Sequence, residues 1–272
     1  MLEDLRVGLS QDIIAKAKEF GADLAGIARV EDLKISPSHV MGGQIPDFGG
    51  VGAKEVDGRK PGVVEWPKSA KSAIVIAIAH PPEKPELDWW VLGGKSAAGN
   101  TAGNKVLMSI NKKLAEWLEH ETGAQCMKLP YHVEFGGIYM KDTAVMAGLG
   151  CIGKNNILVT PEFGPRQRLR VMLVDIDLAP TGPIDFDPCV DCAMFCRSAC
   201  PQKVFDAQIY TSEEYGLTQL PGRTGVYSRP LCNKQMDIDT ANQQVVVVEG
   251  QEEPVKKTMF CRECELACPV GA

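Results

Sequence analysis

The feature that most constrains this chain is a set of closely spaced cysteines in its last third. One run contains Cys189, Cys192, Cys196 and Cys200, and a second contains Cys261, Cys264 and Cys268; both end in Cys-Pro. Cys232 lies between the runs, which makes eight cysteines, enough for two groups of four. Thiolates are soft ligands, so four of them suit an iron–sulfur cluster or a zinc ion.

The Cys-Pro endings, and the three residues before the last cysteine of each run, favour iron–sulfur clusters. The weaker alternatives are structural zinc, which usually takes two separated pairs of ligands, and disulfides, which belong to oxidising compartments. In two-cluster ferredoxins the fourth cysteine of a run ligates the other cluster. Applied here, that rule predicts two [4Fe–4S] clusters. One has the ligands Cys189, Cys192, Cys196 and Cys268, and the other has Cys200, Cys232, Cys261 and Cys264.

The first run departs from the bacterial ferredoxin spacing at one point. Three residues separate Cys192 from Cys196, where that spacing has two. We expect the extra residue to bulge without moving the ligands far. Cys196 is therefore the member of its group that the spacing supports least.

Length and charge bound the remaining possibilities. A chain of 272 residues accommodates one large and one small domain, and we predict an α/β domain at 1–176 and a cysteine-rich domain at 177–272. The formal charge of −6 is poorly suited to binding a phosphate backbone, which disfavours nucleic acid as a partner. No apolar run is long enough to cross a bilayer, and the first residues lack the apolar core of a signal peptide. We therefore expect a cytoplasmic protein without membrane contact, whose cysteines bind metal.

Hydrophobic periodicity predicts the elements of the first domain. The expected helices are 2–20, 105–121 and 141–146, and the expected strands are 23–30, 72–79, 124–129, 157–160 and 169–175. Residues 72–79 are continuously apolar, which is typical of a strand buried on both faces. We expect little regular structure in 36–67, and a surface excursion with one strand, 245–248, in 211–257.

The spacing of Gly148, Gly150 and Gly153 matches the dinucleotide-binding motif G-x-G-x-x-G. That motif works after a strand and at the start of a helix. Here a helix-like segment precedes the glycines and a strand follows, so we do not expect NAD or FAD. The glycines instead indicate that the backbone comes very close to another chain segment or to a flat cofactor.

The flanking residues carry a family resemblance. Ala147-Gly-Leu-Gly-Cys-Ile-Gly-Lys-Asn155 is similar to the motif that precedes the clusters in epoxyqueuosine reductases. Val159-Thr-Pro-Glu-Phe-Gly-Pro-Arg166, with Val174-Asp175, resembles the matching stretch of reductive dehalogenases. Both are cobalamin-dependent reductases with two cysteine runs. The resemblance implies an α+β fold, in which a nitroreductase-like α/β core holds base-off cobalamin beside a ferredoxin-like domain with two [4Fe–4S] clusters.

The resemblance also implies roles for single residues. The corrin would be lined by Gly148, Gly150, Gly153, Lys154 and Asn155, and Arg166 would meet a cobalamin phosphate. Epoxyqueuosine reductases have a proton-donating Asp thirteen residues before the Ala of Ala-Gly-Leu-Gly, and that position holds Glu134 here. Tyr139 is the second candidate, because dehalogenases use a tyrosine in this region. The alternative for Arg166, Arg168 and Arg170 is a solvated strand face, and we expect Asp142 to cap the helix 141–146.

The chain departs from both families in ways that bear on its substrate. It ends four residues after Cys268, where epoxyqueuosine reductases continue into helical repeats that help hold tRNA. It lacks the twin-arginine signal of respiratory dehalogenases, and Cys151 stands where the tRNA enzymes usually have tryptophan.

We therefore predict a compact cytoplasmic reductase that cleaves a C–O or C–halogen bond of a small molecule. Cob(I)alamin would be its reductant or nucleophile, and its electrons would come from an external low-potential donor of the ferredoxin or flavodoxin type. One alternative is an iron–sulfur electron-transfer protein that reduces the corrinoid of a partner protein. Another is an epoxyqueuosine reductase that acts on tRNA, which the acidic charge makes the less favoured substrate.

Overall fold

The structure, a computed structural model, describes residues 2–45, 56–93, 96–247 and 253–271. The α-helices are α1 Leu2–Glu19, α2 Val30–Lys34, α3 Pro37–Met41, α4 Ala102–Thr122, α5 Met140–Met146, α6 Phe195–Ser198, α7 Ser212–Tyr215, α8 Arg229–Ala241 and α9 Glu263–Leu266. The strands are β1 Leu24–Arg29, β2 Ser72–Ala79, β3 Trp90–Gly93, β4 Ser96–Asn100, β5 Cys126–Lys128, β6 Cys151–Ile152, β7 Leu158–Val159, β8 Gln167–Val174, β9 Gln244–Val246 and β10 Val255–Thr258. Short 3₁₀ helices form at Pro85–Asp88 and Val133–Phe135.

A four-stranded antiparallel sheet, in the order β1-β2-β8-β5, forms the centre of the fold. Its second strand, β2, is buried on both faces, as its continuous apolar sequence predicts. One face packs against α1 and α4 through a core that includes Ile74, Ile76 and Met172. The other packs against α2 and α5 through a core that includes Val75 and Val171. The predicted mixed α and β architecture is confirmed.

Helix α4 illustrates how local sequence sets the elements that position the site. The Thr101 hydroxyl accepts a hydrogen bond from the Asn104 N–H at the helix start, and Gly123 ends the helix at φ 70°. The chain then reverses into β5, which pairs with β8 from Cys126 to Lys128. This pairing carries the segment that follows Lys128 along the edge of β8.

A second four-stranded sheet, in the order β4-β3-β10-β9, contains strands from both predicted domains. Leu178 is fully buried in the core between the central sheet, α1 and α4, and the Thr181 N–H donates to the Ile27 carbonyl over 3.0 Å. Residues just after the predicted boundary thus pack on the central sheet. The division at 176/177 and the ferredoxin-like character of the C-terminal part stay predictions.

The segments expected to be irregular contain elements that periodicity did not predict. Helix α3 lies within 36–67, where little regular structure was expected, and α7 and α8 lie within 211–257, where a single strand was expected. Ser228 caps α8 and Pro230 occupies its first turn, a recognisable start signal that the surrounding polar sequence obscured. Strand β9 overlaps the predicted strand 245–248, whose last residue lies outside the described ranges.

Candidate functional site

The first cysteine run meets the end of the second run around one cavity. Its lining includes Cys189, Cys192, Cys196 and Cys268, which we call the first cysteine set. Three of these thiols are buried, and that of Cys192 is half-buried. Burial raises the pKa of the Cys196 thiol, and the other three members of the set raise it further. These four side chains therefore form one electrostatic group.

The remaining three cysteines of the runs form a second group with Cys232. It consists of Cys200, Cys232, Cys261 and Cys264, which we call the second cysteine set. Burial raises the pKa of the Cys264 thiol to about 12, and the other three members add to the effect. Helix α6 packs against α9, which brings the two runs side by side. The structure thus brings together the same two groups of four that the spacing predicts.

The structure places the cysteines of each set together, and the binding of an iron–sulfur cluster by either set stays a prediction. Within the described residues, no three His, Cys, Asp or Glu side chains are arranged to hold a single metal ion. Each set does offer four sulfur atoms, the donor type that iron–sulfur clusters require. The donor chemistry of both sets therefore fits the predicted group.

A left-handed turn accommodates the extra residue between Cys192 and Cys196. Met194 has φ 58° and ψ 40°, and its N–H donates to the Cys192 sulfur over 3.4 Å. Helix α6 begins at the next residue, and Cys196 is buried within it. Cys196, the member that the spacing supports least, therefore lies with the rest of its set.

Arg166 ties the first set to the central sheet. Its side chain is 4% exposed, and its guanidinium donates to the carbonyls of Cys268, over 2.9 Å, and Val270, over 2.6 Å. The alternative of a solvated face was therefore wrong for Arg166, because the end of the chain folds back over it. The predicted contact of Arg166 with a cobalamin phosphate is untested.

A buried ion network ties the second set to the same sheet. Arg168 Nη2 lies 2.9 Å from Asp88 Oδ1 and 3.0 Å from Glu265 Oε2. Arg262 Nη1 lies 2.8 Å from Asp88 Oδ2, and the same guanidinium pairs with Glu265. Burial alone would raise the pKa of Asp88, but its partners His80, Arg168 and Arg262 outweigh burial and hold the pKa below its ordinary value.

Sequence reasoning missed this network and wrongly assigned Arg168 to a solvated face. The available signal was the alternation of three arginines in an otherwise apolar strand, together with Arg262 and Glu265 three residues apart around Cys264. Arginines on a half-buried strand require partners for their N–H groups, but the sequence does not say which residues fold against them.

The glycine segment makes close contacts with other parts of the chain. A Cβ at Gly148 would lie 2.8 Å from the Thr181 carbonyl oxygen, and a Cβ at Gly150 would collide with the Val159 carbonyl. At Gly153 a Cβ would lie 2.7 Å from the Asn155 side chain. Helix α5 precedes this segment and β7 follows it, the order that argues against a dinucleotide site. Chain contacts explain all three glycines, and their contact with a corrin is untested.

Lys154 and Asn155 lie against the cysteine sets. The Lys154 ammonium donates to the Val190 carbonyl over 3.2 Å, within the first run. The Asn155 amide donates to the Cys264 carbonyl over 3.3 Å, within the second set. The segment that resembles the reductase motif therefore bridges the two sets, and its predicted role toward the corrin stays a prediction.

Glu134 occupies the 3₁₀ helix that follows β5. Its side chain is 7% exposed, and its Oε1 lies 3.7 Å from His132 Nδ1. The neighbouring aromatic side chains are far more open, with Tyr131 44% and Phe135 53% exposed. A buried carboxyl group thus belongs to a short segment that also contains two exposed aromatic rings.

Tyr139, the second proton-donor candidate, anchors another part of the fold. Its hydroxyl donates to the Gly62 carbonyl over 2.7 Å, and a Cβ at Gly42 would collide with the same hydroxyl. Burial raises the pKa of Tyr139, and the charges of Asp142 and Glu134 raise it further. Tyr139 is therefore close enough to Glu134 to interact electrostatically, while its hydroxyl holds the residues around Gly42 and Gly62.

Asp142 caps a different helix from the one expected. It is the third residue of α5, and its carboxylate accepts hydrogen bonds from the Ser38 N–H and hydroxyl, both over 2.7 Å, at the start of α3. The Ser36 hydroxyl also donates to Asp142, and it contacts His39 Nδ1 at 2.8 Å. Burial lowers the pKa of His39 to about 4, although Asp142 opposes the shift. The imidazole is therefore neutral near pH 7, a feature that sequence reasoning missed.

Within the described residues, no helix has both the length and the apolar character needed to cross a membrane. No family model matches the sequence.

Several curated proteins are similar to the chain in sequence. It is 29% identical over 197 residues to an epoxyqueuosine reductase of Gloeobacter violaceus, covering 70% of this chain and 58% of the relative. It is 28% identical over 242 residues to a tetrachloroethene reductive dehalogenase of Desulfitobacterium hafniense, covering 77% of this chain and 41% of the relative. The chain thus spans about two fifths to three fifths of the length of these relatives.

The fold is similar to that of epoxyqueuosine reductases. The structure of the Streptococcus thermophilus protein matches 97% of this chain and 66% of its own, with a TM-score of 0.59 and 21% identity. The chain is therefore a relative of the epoxyqueuosine reductases and the reductive dehalogenases, as its motifs predict, and it shares the fold of the former.

Proposed function

We propose that the protein is a cytoplasmic reductase that carries two [4Fe–4S] clusters and base-off cobalamin, and that cleaves a C–O or C–halogen bond of a small molecule. The observation that carries the proposal is the convergence of eight cysteines into two sets of four, each drawn from both runs. The relatives of both kinds are named as reductases, which supports an oxidoreductase of this type. The acidic formal charge of −6 supports a small molecule over tRNA.

The two sets lie side by side, which suits a relay of single electrons. Electrons would arrive from an external donor of the ferredoxin or flavodoxin type and pass through both clusters. Cluster potentials depend on charge, hydrogen bonds and exposure. The Arg166 contact at the first set and the ion network at the second would therefore help to set them.

The surface around Tyr131 fits a corrin. The exposed rings of Tyr131 and Phe135 offer apolar faces to a flat macrocycle. When bound, cobalamin supplies a low-potential cobalt centre that donates electrons to the substrate.

Glu134 is the residue we assign to proton delivery. The Glu134 side chain is 7% exposed, and Glu134 lies between Tyr131 and Tyr139 in the chain. Its carboxyl group would donate a proton to the leaving group of the substrate. Tyr139 is the second candidate, and its hydroxyl already donates to Gly62.

The cluster assignment is tested by iron analysis and EPR of anaerobically reconstituted variants. We expect about eight irons per chain in the wild type and about four in Cys189→Ser, in Cys268→Ser and in their double variant, because both residues belong to one set. Cys264→Ser combined with Cys268→Ser should remove both clusters, although the two residues are close in sequence. Cys126→Ser is the control and should keep all the iron. If the pair Cys264 and Cys268 instead left one cluster intact, the partition would be wrong.

The cofactor and the proton donor are tested on the reconstituted protein. Titration with hydroxocobalamin should give the EPR signal of base-off cobalamin beside those of the reduced clusters. Glu134→Gln should keep that signal and lower turnover by about 10²–10⁴-fold, the usual contribution of a positioned acid. Glu121→Gln, at an exposed position on α4, is the matched control. Full activity in Glu134→Gln together with its loss in Tyr139→Phe would transfer the role to Tyr139.

The same titration separates the alternatives. An electron-transfer protein would hold both clusters and bind no cobalamin at saturating concentration, but would reduce the corrinoid of a partner protein. A tRNA enzyme would bind cobalamin and turn over epoxyqueuosine in a tRNA stem loop, with no activity on small halogenated or epoxide substrates.

A further inference from the structure

Two arginines near Tyr131 differ from Arg168, which also lies near that tyrosine but has carboxylate partners. Arg170 lies on β8 and Arg229 is the first residue of α8, and we call them the arginine pair. Both guanidinium groups lie near Tyr131, which is 44% exposed. Two elements that are distant in sequence thus direct cationic groups toward one accessible side chain.

The arginine pair has only weak partners. Arg170 Nη1 donates to the Asn104 side-chain oxygen over 3.3 Å, and Arg229 Nη1 lies 3.4 Å from the Tyr227 hydroxyl. The Nε–H of each arginine is buried and has no hydrogen-bond partner. Among the described residues, no carboxylate forms an ion pair with either guanidinium. Arg168, two positions from Arg170, pairs with both Asp88 and Glu265.

An uncompensated guanidinium in a half-buried position is costly. Burial lowers the pKa of Arg170, which is the expected response of a cation that lacks an anionic partner. At Arg229 burial also lowers the pKa, but its neighbours Tyr227 and Cys232 outweigh burial and raise it. Unpaired buried donors and charges are rare in folded proteins unless something else satisfies them. Guanidinium groups bind carboxylates and phosphates well, because their N–H groups match two acceptor oxygens at once.

We infer that Arg170 and Arg229, together with the hydroxyl of Tyr131, bind an anionic group, a carboxylate or a phosphate, of a molecule that occupies the reductase site. This inference rests on the proposed function for the identity of that site. Two sources share the chemistry: an acidic substituent on the substrate, and the phosphate of the cobalamin nucleotide loop.

The position of the arginine pair suits either source. Arg229 precedes Cys232 of the second set by three residues, and its guanidinium lies near that cysteine. On the other side, Glu134 follows Tyr131 by three residues. An anion held by the pair would therefore lie near Cys232 of the second cysteine set.

Calorimetric titration of the reconstituted protein tests the inference with three probes: hydroxocobalamin, cobinamide, which lacks the nucleotide phosphate, and inorganic phosphate. We expect Arg170→Gln and Arg229→Gln each to weaken binding of at least one phosphate-bearing probe about tenfold or more, the effect of losing a charged hydrogen bond. Arg170→Lys should retain part of the affinity, because the charge remains and the paired geometry is lost. Arg29→Gln, at an exposed site on β1, is the control and should bind as the wild type does.

The pattern across the probes identifies the source. Weaker binding of hydroxocobalamin with unchanged binding of cobinamide would assign the pair to the cofactor phosphate. Unchanged binding of both corrinoids with weaker binding of inorganic phosphate would assign it to an acidic substrate. Unchanged binding of all three probes in variants that keep their iron would overturn the inference. If the wild type binds neither corrinoid, the proposed function fails, and the phosphate titration still tests the pair.

Discussion

The two cysteine sets are attached to the central sheet by different chemistry. At the first set, Arg166 donates to the backbone carbonyls of Cys268 and Val270, which are neutral acceptors. At the second set, Arg168 and its partners form a network of opposite charges that surrounds α9. Loss of one member of a charge network leaves the remaining charges less compensated, whereas loss of a donor to a carbonyl leaves only a neutral polar group. The second attachment should therefore be the more sensitive to single substitutions.

The largest expected effect is that of Arg168→Met. Removal of this guanidinium leaves Asp88 and Glu265 short of a partner, and we expect about 3 kcal/mol of destabilisation. Denaturant unfolding of the reconstituted protein measures the change. Iron analysis should show preferential loss from the second set.

Arg170→Met is the matched control for that change, on the same strand and two residues away. Because Arg170 has no carboxylate partner among the described residues, its replacement should cost less than about 1 kcal/mol or even stabilise the fold. Equal destabilisation by the two substitutions would remove the distinction between a structural and a ligand-binding arginine.

Arg166→Met should have a smaller effect than Arg168→Met. It removes two hydrogen bonds from a charged donor, and we expect a loss of about 2 kcal/mol. Iron should be lost preferentially from the first set. EPR of Arg166→Met combined with Cys232→Ser, which would keep only the first cluster, measures that loss. An effect larger than that of Arg168→Met would reverse the ranking of the two attachments.

The pH dependence of the unfolding free energy tests a contribution from buried His39, which belongs to neither attachment. Unfolded His39 takes up a proton below pH 6.5, whereas burial in the folded protein lowers its pKa to about 4. Stability should therefore fall as the pH falls from 6.5 toward 4, by about 2 kcal/mol between pH 7.5 and pH 5. Unfolding of His39→Gln should lack this share of the pH dependence, and His120→Gln, at an exposed site, should retain it. An unchanged profile in His39→Gln would place the acid sensitivity elsewhere.

The sequence predicted the local and the repetitive features of this protein better than its long-range contacts. Strand 72–79 and the two cysteine sets follow from an apolar run and from a spacing rule, and both are visible without the fold. The network around Asp88 joins residues more than 170 positions apart, and no local pattern indicates which acid meets which arginine. The glycines at 148, 150 and 153 were correctly taken as points of close approach, but the sequence did not identify the neighbouring segment.

The smallest expected effect concerns the extra residue of the first run. Met194 adopts a left-handed conformation that costs a non-glycine residue roughly 1 kcal/mol, and its side chain is exposed. Met194→Gly should therefore stabilise the reconstituted protein by about 0.5–1 kcal/mol in denaturant unfolding, with no loss of iron. Ala193→Gly is the control, because a glycine at this exposed neighbour only adds freedom to the unfolded chain and should destabilise slightly. Stabilisation by Met194→Gly would show that the extra residue of the first run strains the backbone at Met194. Destabilisation would mean that the Met194 side chain itself supports the turn.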